Sequence, residues 1–213
     1  MTYAVKEIFY TLQGEGTHAG RPAVFCRFSG CNLWSGKEQD RADAICNFCD
    51  TDFVGTDGVG GGSFEDSEAL TNAIEGFWPS DDTTSGRKMV VFTGGEPLLQ
   101  LDCPLIEELH KNGFLVAVET NGTILPPAGI DWITVSPKFG STLKLQFGDE
   151  LKLVYPQVGY SPSSFVALEF KRFFLQPMDG PNFEQHRDAA LKYCLDNPRW
   201  ELCLQTQKIL GIR

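Results

Sequence analysis

The sequence PAVFCRFSGC (residues 22–31) decides the fold, because its β-branched and aromatic residues predict a strand over 22–29 that ends at a glycine and a cysteine. Side chains alternate between the two faces of a strand, so Val24, Cys26 and Phe28 share one face. This apolar face predicts burial against a covering helix. Arg27 belongs to the other face and is expected to point inward, toward a binding site.

Two further cysteines follow this strand, in the pattern Cys31-x14-Cys46-x2-Cys49. Three thiolates without a fourth suit an iron–sulfur cubane in which one iron stays free for another ligand. The polar insertion at 32–45 costs only about 1.4 kcal/mol of loop-closure entropy relative to a three-residue spacing. Cys26 as a fourth ligand would instead give a structural zinc site, an alternative that its apolar strand face disfavours.

Short β-branched or aromatic runs alternate with helical patterns along the rest of the chain, which is typical of βαβ units and a parallel sheet. An eight-fold barrel usually needs about 250 residues, whereas this chain has 213. We therefore expect one domain over 1–213 with an α/β fold, an incomplete parallel (β/α)6 barrel whose active site lies at the carboxyl ends of the strands. The other strands are predicted at 88–93, 114–119, 131–135, 150–155 and 172–176, the helices at 64–77, 98–112, 162–169 and 182–195, and loops at 54–63 and 79–87.

Composition and charge exclude several classes of function. The net charge is −10 and the pI about 4.7, which argues against binding to a nucleic-acid backbone. No apolar run approaches the ~20 residues that span a membrane, and no signal peptide is recognisable, so we expect a cytoplasmic protein without a membrane partner. Seven cysteines, an odd number, favour metal or redox chemistry over disulfides. Cys103, Cys194 and Cys203 are predicted to be buried core thiols.

Glycine-rich or polar segments follow several predicted strands. The segment TGGEP (residues 93–97) lies between a strand and a helix, where glycines permit close backbone approach and proline suits a first helical position. The segments 119–122, 136–138 and 176–179 end three other strands. Turn chemistry alone can explain each of them, so the residues by themselves leave a structural and a binding role open.

Several motifs resemble those of a known family. The chain contains FYTLQGEG (9–16), RPAVFCR (21–27), GCNLW (30–34), CDT (49–51) and GGEP (94–97). The cysteines and GGEP resemble the radical S-adenosylmethionine (SAM) superfamily. The whole set, which covers nearly the full length, resembles the 7-carboxy-7-deazaguanine synthase family of 7-deazapurine (queuosine) biosynthesis. The usual superfamily motif is CxxxCxxC, with an aromatic residue before the last cysteine. Here 14 residues replace the first three, as in some members of the synthase family.

This resemblance implies a radical SAM lyase with a [4Fe–4S] cluster, SAM and Mg²⁺ as cofactors, and a barrel of the radical SAM type. The implied reaction converts 6-carboxy-5,6,7,8-tetrahydropterin to 7-carboxy-7-deazaguanine with loss of ammonia. A 5′-deoxyadenosyl radical would abstract hydrogen from C6 of the pterin, and SAM would be regenerated. The implied partners are the small-molecule pterin, an electron donor such as flavodoxin or ferredoxin, and a second copy in a homodimer.

The resemblance also assigns roles to single residues. Arg27 would bind the substrate carboxylate bidentately, with a surface strand arginine as the alternative. Thr51 would be the magnesium ligand, with a helix cap or turn as the alternative. Gln207 stands where many relatives have histidine, so no role is assigned to it. The expected cluster ligands are Cys31, Cys46 and Cys49; the expected SAM contacts are Phe48, Gly94, Gly95, Glu96, Ser136, Pro137, Lys138, Gln176, Pro177, Met178 and Asp179; and the expected substrate contacts are Leu12, Gln13, Gly14, Glu15, Arg27, Thr93 and Arg213.

Three other functions are consistent with parts of the sequence. A glycyl-radical activating enzyme shares the cysteines and GGEP, but the LQGEG motif (12–16) argues against it. A zinc-stabilised binding module is an alternative from another class, which iron and sulfide content would distinguish. A plain iron–sulfur electron carrier leaves the segment 93–97 unexplained.

Overall fold

The computed structural model describes residues 1–79 and 87–213. The strands are β1 (Tyr3–Leu12), β2 (Pro22–Phe28), β3 (Gly62–Phe64), β4 (Lys88–Gly94), β5 (Phe114–Thr120), β6 (Trp132–Val135), β7 (Phe147–Tyr155), β8 (Glu169–Pro177) and β9 (Trp200–Leu202). The helices are α1 (Ser67–Phe77), α2 (Cys103–Lys111), α3 (Phe183–Asp196) and α4 (Thr206–Leu210). The loop predicted at 79–87 falls almost entirely outside the described residues.

All of these strands belong to a single sheet with the order β3-β1-β2-β4-β5-β6-β7-β8-β9. From β2 onward each neighbouring pair in this order is parallel, whereas β1 is antiparallel to both β2 and β3. Among the described residues the sheet ends at β3 and β9, which are three residues long, and it does not close. The six predicted strands are present, and the open, mainly parallel α/β barrel is confirmed.

The structure corrects the sequence prediction in three places. The segment 162–169 is not an α-helix: a single 3₁₀ turn covers Pro162–Phe165, and Glu169 already pairs with Phe147 of the neighbouring strand. The connections from β5 to β6 and from β6 to β7 contain no helix, so the sheet lacks two of the helices that a regular (β/α)6 barrel would have. The strands β1, β3 and β9 were not predicted, and β3 (Gly62–Phe64) covers the end of the loop expected at 54–63. The strand before the cysteines is therefore the second in the chain.

Side-chain caps and one apolar face fix the two helices next to the cysteine strand. Asp66 accepts a hydrogen bond from the amide of Ala69 at the start of α1, and Asp102 accepts one from Leu105 at the start of α2. Leu70, Ile74, Leu105, Ile106 and Leu109 are buried against β1, β2, β4 and β5. Burying each of these side chains contributes about 1.5–3 kcal/mol to the stability of the fold. This packing keeps the strand ends that build the site in place.

The four cysteines outside the predicted cluster are buried to different extents. Cys26 is fully buried in the core under α1 and α2, as strand alternation predicts. Cys203 is also buried. The prediction is wrong for Cys103 and Cys194, which are half-buried because they lie in the terminal turns of α2 and α3. No helix in the described part of the chain is long and apolar enough to cross a bilayer.

Candidate active site at the carboxyl ends of the strands

A cavity of about 430 Å³ opens at the carboxyl ends of the parallel strands. Its wall is formed by β1 and the loop that follows it, the ends of β2 and β4 to β8, the cysteine loop after β2, and the carboxyl-terminal segment. The predicted site residues line this cavity, with two exceptions, Glu96 and Pro137. Cluster, SAM and substrate residues named from the sequence are thus brought together in one place.

Cys31, Cys46 and Cys49 line the cavity together. Interaction between the neighbouring Cys46 and Cys49 thiols raises the pKa of Cys46 and lowers that of Cys49 to about 6, while burial raises the pKa of Cys31. Within residues 1–79 and 87–213, no three His, Cys, Asp or Glu side chains converge closely enough to hold a single metal ion. In a cubane each cysteine binds a different iron, so its ligands need not converge on one point. The three soft donors fit such a cluster better than a four-donor zinc site.

Gly94 and Gly95 let the turn after β4 pack against the backbone that carries Cys31. Gly94 has a φ of +134°, a conformation that favours glycine. A Cβ at position 95 would lie 2.6 Å from the Cβ of Cys31 and would overlap the carbonyl oxygen of Gly30. The amide of Glu96 donates to this same oxygen at 3.0 Å. Both glycines therefore hold the cysteine loop and the TGGEP turn against each other.

The carboxylate of Glu96 is fully buried and does not line the cavity. It accepts hydrogen bonds from the Thr120 hydroxyl at 2.7 Å, the Asn121 amide at 2.8 Å and the Leu98 amide at 3.0 Å. Burial raises the pKa of Glu96 in spite of these donors. The residue thus joins the end of β4 to the end of β5, and in this structure it acts on the cavity by positioning the turn.

The loop after β6 presents a half-buried ammonium group to the cavity. The Nζ of Lys138 donates to the carbonyl and hydroxyl oxygens of Ser136, each at 2.7 Å, and burial lowers the pKa of Lys138. Pro137 lies behind the wall, where its carbonyl oxygen accepts a hydrogen bond from Gln157 at 3.3 Å. Gln157 also accepts from the amide of Phe139 at 2.6 Å, which fixes the loop on both sides.

The end of β8 supplies the run Gln176–Asp179 to the cavity wall. The carbonyl oxygen of Met178 lies 2.9 Å from Nδ1 of His186 in α3. The carboxylate of Asp179 accepts from Nζ of Lys208 at 2.6 Å, and the same ammonium donates to Asp50 at 2.6 Å. Lys208 therefore ties the carboxyl-terminal segment to the end of β8 and to the cysteine loop.

A buried ammonium, Lys152, lies between the carboxylates of Glu15 and Glu119. Its Nζ is 2.7 Å from Oε2 of Glu119, and Gln13 donates to the other oxygen of Glu119 at 3.2 Å. Burial disfavours the charge of Lys152, but the two carboxylates raise its pKa well above the usual value. Burial also raises the pKa of Glu119, whereas Lys152 overcomes burial and lowers the pKa of Glu15. The cavity wall near Gln13 thus contains two acidic groups and one shared cation.

The carboxyl-terminal segment covers the loop that follows β1. Thr206 donates to the carbonyl oxygen of Gly14 through its amide at 3.1 Å and its hydroxyl at 2.7 Å. The side-chain amides of Gln205 and Gln207 donate to Glu15 at 3.0 and 2.9 Å. A Cβ at Gly14 would lie 2.8 Å from the amide nitrogen of Gln207, so glycine is needed for this contact. Gln207, to which the sequence assigned no role, holds a cavity carboxylate.

Arg27 lines the cavity from β2, as strand alternation predicts. Its Nε donates to Glu7 at 3.0 Å, and Nη1 of Arg213 lies 3.4 Å from the other oxygen of Glu7. Thr93 stands opposite Arg27 in the pairing of β2 with β4. Within the described residues the two Nη groups of Arg27 form no hydrogen bond, which leaves a fork of donors for an anionic ligand. Leu12 and Thr51 complete this part of the wall.

Sequence reasoning missed several residues of the cavity wall. Lys152 could have been found, because Glu150 and Lys152 alternate with Leu151 and Leu153 on a strand expected to be buried on both faces. Two charged residues on the inner face of such a strand require partners inside the barrel. Lys208 had no comparable signal, since both of its partners come from distant loops.

An open parallel α/β barrel with three thiols and a GGEP turn at its carboxyl edge defines a radical SAM enzyme, whose cofactors are a [4Fe–4S] cluster and SAM. The chain matches no protein-family model. It is 59% identical over 215 residues to the 7-carboxy-7-deazaguanine synthase of Bordetella pertussis and 60% identical over 215 residues to that of Nitratidesulfovibrio vulgaris, in both cases over the full length of the two proteins. The crystal structure of QueE from Escherichia coli superposes with a TM-score of 0.68 at 28% identity and covers 96% of this chain and 94% of that one. The chain belongs to the 7-carboxy-7-deazaguanine synthase family.

Proposed function

We propose that this chain converts 6-carboxy-5,6,7,8-tetrahydropterin to 7-carboxy-7-deazaguanine with release of ammonia, in 7-deazapurine (queuosine) biosynthesis. One observation carries the proposal. A single cavity joins the three cysteines and the TGGEP turn to the LQGE loop, Arg27 and the paired carboxylates of Glu15 and Glu119. These two sets of residues match the cofactor side and the substrate side of the proposed reaction.

On the cofactor side, Cys31, Cys46 and Cys49 would hold the [4Fe–4S] cluster. When bound, the cluster and SAM supply the one-electron chemistry that starts a carbon-centred radical reaction. The chain's own residues orient SAM and exclude water, and Glu96 acts from behind the wall through Thr120. The proposed SAM contacts are Phe48, Gly94, Gly95, Ser136, Lys138, Gln176, Pro177, Met178 and Asp179, and Pro137 would act from behind the wall by positioning the loop after β6.

On the substrate side, the free fork of Arg27 would bind the carboxylate of the pterin. Gln13 and the carboxylates around Lys152 offer hydrogen-bond donors and acceptors suited to the amino and amide groups of a pterin edge. We assign Mg²⁺ to Thr51, because this ion takes hard oxygen ligands and keeps waters or substrate oxygens in its remaining positions. The other proposed substrate contacts are Leu12, Gly14, Glu15, Thr93 and Arg213.

The assembly and partners are part of the same proposal. The chain would act as one radical SAM domain over 1–213, with an insertion at 32–45 in the cluster loop. We further propose a homodimer in the cytoplasm that receives electrons from a flavodoxin or ferredoxin. The net charge of −10 supports the absence of a nucleic-acid partner.

The proposal is tested by anaerobic incubation of the reconstituted protein with SAM, a reductant and the tetrahydropterin acid, with detection of the deazapurine by its absorbance. Cys49→Ala should abolish SAM cleavage and product formation. Cys194→Ala, which removes a half-buried thiol from α3, is the matched control and should retain both. Product formation by Cys49→Ala, or its absence with the reconstituted wild-type protein, would refute the proposal.

A further inference from the structure

The insertion at 32–45 folds into a 3₁₀ helix, Glu38–Asp43, next to the second and third cysteines. One side chain from this helix reaches the cysteine loop. Nη1 of Arg41 donates to the carbonyl oxygens of Asn47 and Cys49, each at 3.0 Å. These two carbonyls stand on either side of Phe48, so a single guanidinium nitrogen bridges the end of the Cys-x2-Cys segment.

Arg41 is itself held in place by its neighbours. Its Nε donates to both carboxylate oxygens of Glu38, at 2.9 and 2.8 Å. The guanidinium carbon lies 4.1 Å from the ring centre of Trp34, a cation–π contact. Trp34 is buried, packs edge-on against Phe53 and donates through Nε1 to the carbonyl of Lys37 at 3.2 Å. The arginine therefore has a fixed position that a solvated loop residue would lack.

We propose that Arg41 is a positioning residue for the iron–sulfur cluster: it fixes the backbone around Cys49 and places a permanent positive charge beside the cluster ligands. The inference rests on the proposed cluster ligation by Cys31, Cys46 and Cys49. It gives the insertion at 32–45 a role, because the longer loop supplies the arginine that holds its own carboxyl end.

Two physical consequences follow from this placement. The carbonyl of Cys49 belongs to a ligand residue, so fixing it limits the directions in which the Cys49 side chain can point, and cluster retention should depend on it. Arginine stays charged at every accessible pH, and a nearby positive charge stabilises the reduced, more negative state of a cluster. Removing this charge should therefore shift the midpoint potential to a more negative value.

The experiment compares the wild-type chain with Arg41→Ala, Arg41→Lys and Lys37→Ala after anaerobic reconstitution. Lys37→Ala removes one positive charge from the same insertion, and the Lys37 side chain forms no hydrogen bond or ion pair with any residue that the structure describes. The readouts are the rate of iron loss to a chelator, the electron paramagnetic resonance spectrum of the reduced cluster and its midpoint potential. No pterin substrate is needed, so the result is independent of the overall reaction.

Arg41→Ala should lose iron about tenfold faster than wild type, which corresponds to about 1.4 kcal/mol, with a changed spectrum and a more negative potential. Arg41→Lys should keep the wild-type potential, because the charge remains, but still lose iron faster. Lys37→Ala should match wild type. Wild-type behaviour of Arg41→Ala, or an equal shift in Lys37→Ala, overturns the inference. If Arg41→Ala does not fold by circular dichroism, wild-type iron retention in Arg41→Lys overturns it instead. A wild-type chain that takes up no iron and sulfide would refute the cluster ligands themselves.

Discussion

Replacing Lys152 by methionine should destabilise the protein in a way that depends on pH. The ammonium is buried between Glu15 and Glu119, and removing one member of a buried ion pair costs about 3–5 kcal/mol. For a domain of about 150–250 residues each kcal/mol corresponds to about 2–4 °C. The midpoint of thermal unfolding should therefore fall by about 6–20 °C.

The pH dependence of this loss identifies its cause. Without Lys152, burial raises the pKa of the remaining carboxylates above the value of about 4.3 for a glutamate in the unfolded chain. Above about pH 5 the folded variant then binds protons that the unfolded chain has already released, so its stability falls as pH rises toward 8. The difference from wild type should be smallest at low pH.

Urea unfolding of the cofactor-free protein at several pH values, followed by circular dichroism, measures this effect. The matched control is Lys192→Met, because Lys192 pairs with Asp196 on the surface of α3 and both side chains are largely exposed. It should leave the free energy of unfolding nearly unchanged. If the two variants unfold alike, or if the loss in Lys152→Met does not vary with pH, the ion pairs of Lys152 with Glu15 and Glu119 do not stabilise the fold as described.

Three further predictions concern the cavity wall. Gly95→Ala should prevent cluster uptake, because the added Cβ would overlap the backbone next to the cysteine loop. The iron content after reconstitution tests this. The control variant Gly76→Ala, whose added Cβ meets open space, should take up iron normally. Gly14→Ala should raise KM for the pterin roughly tenfold by displacing Gln207, as expected for the loss of one hydrogen bond to a charged carboxylate, that of Glu15. An unchanged KM would contradict this role of the tail. Thr51→Ala should weaken activation by Mg²⁺ while the cluster absorbance stays at the wild-type level, and a wild-type enzyme indifferent to added Mg²⁺ would rule out this ion site.

Local patterns in the sequence were sufficient to predict the six central parallel strands, β2 and β4 to β8. The alternation around Cys26 and Arg27 predicted both the buried face and the cavity face of β2, because strand geometry alone sets these directions. The segment 162–169 misled the prediction because its composition allows a helix. Pairing of Glu169 with β7 requires an extended backbone, and this tertiary contact outweighs local propensity.

The contacts that complete the site join residues far apart in the chain. Lys208 reaches Asp50 across 158 positions, and Gln207 reaches Glu15 across 192. Neither residue carries a periodic or motif signal of its own, so no rule about neighbouring residues could have paired them. The role of Gly14 was likewise hidden, because the atom that excludes a side chain there belongs to the tail.

The two borders of the sheet have a consequence for solubility. An open sheet exposes unpaired amide and carbonyl groups along its outermost strands, and long borders of this kind recruit other chains into fibrils. Here the outermost strands, β3 and β9, offer only three residues each. Such short strands give an incoming strand few hydrogen bonds, which disfavours extension of the sheet at β3 and at β9.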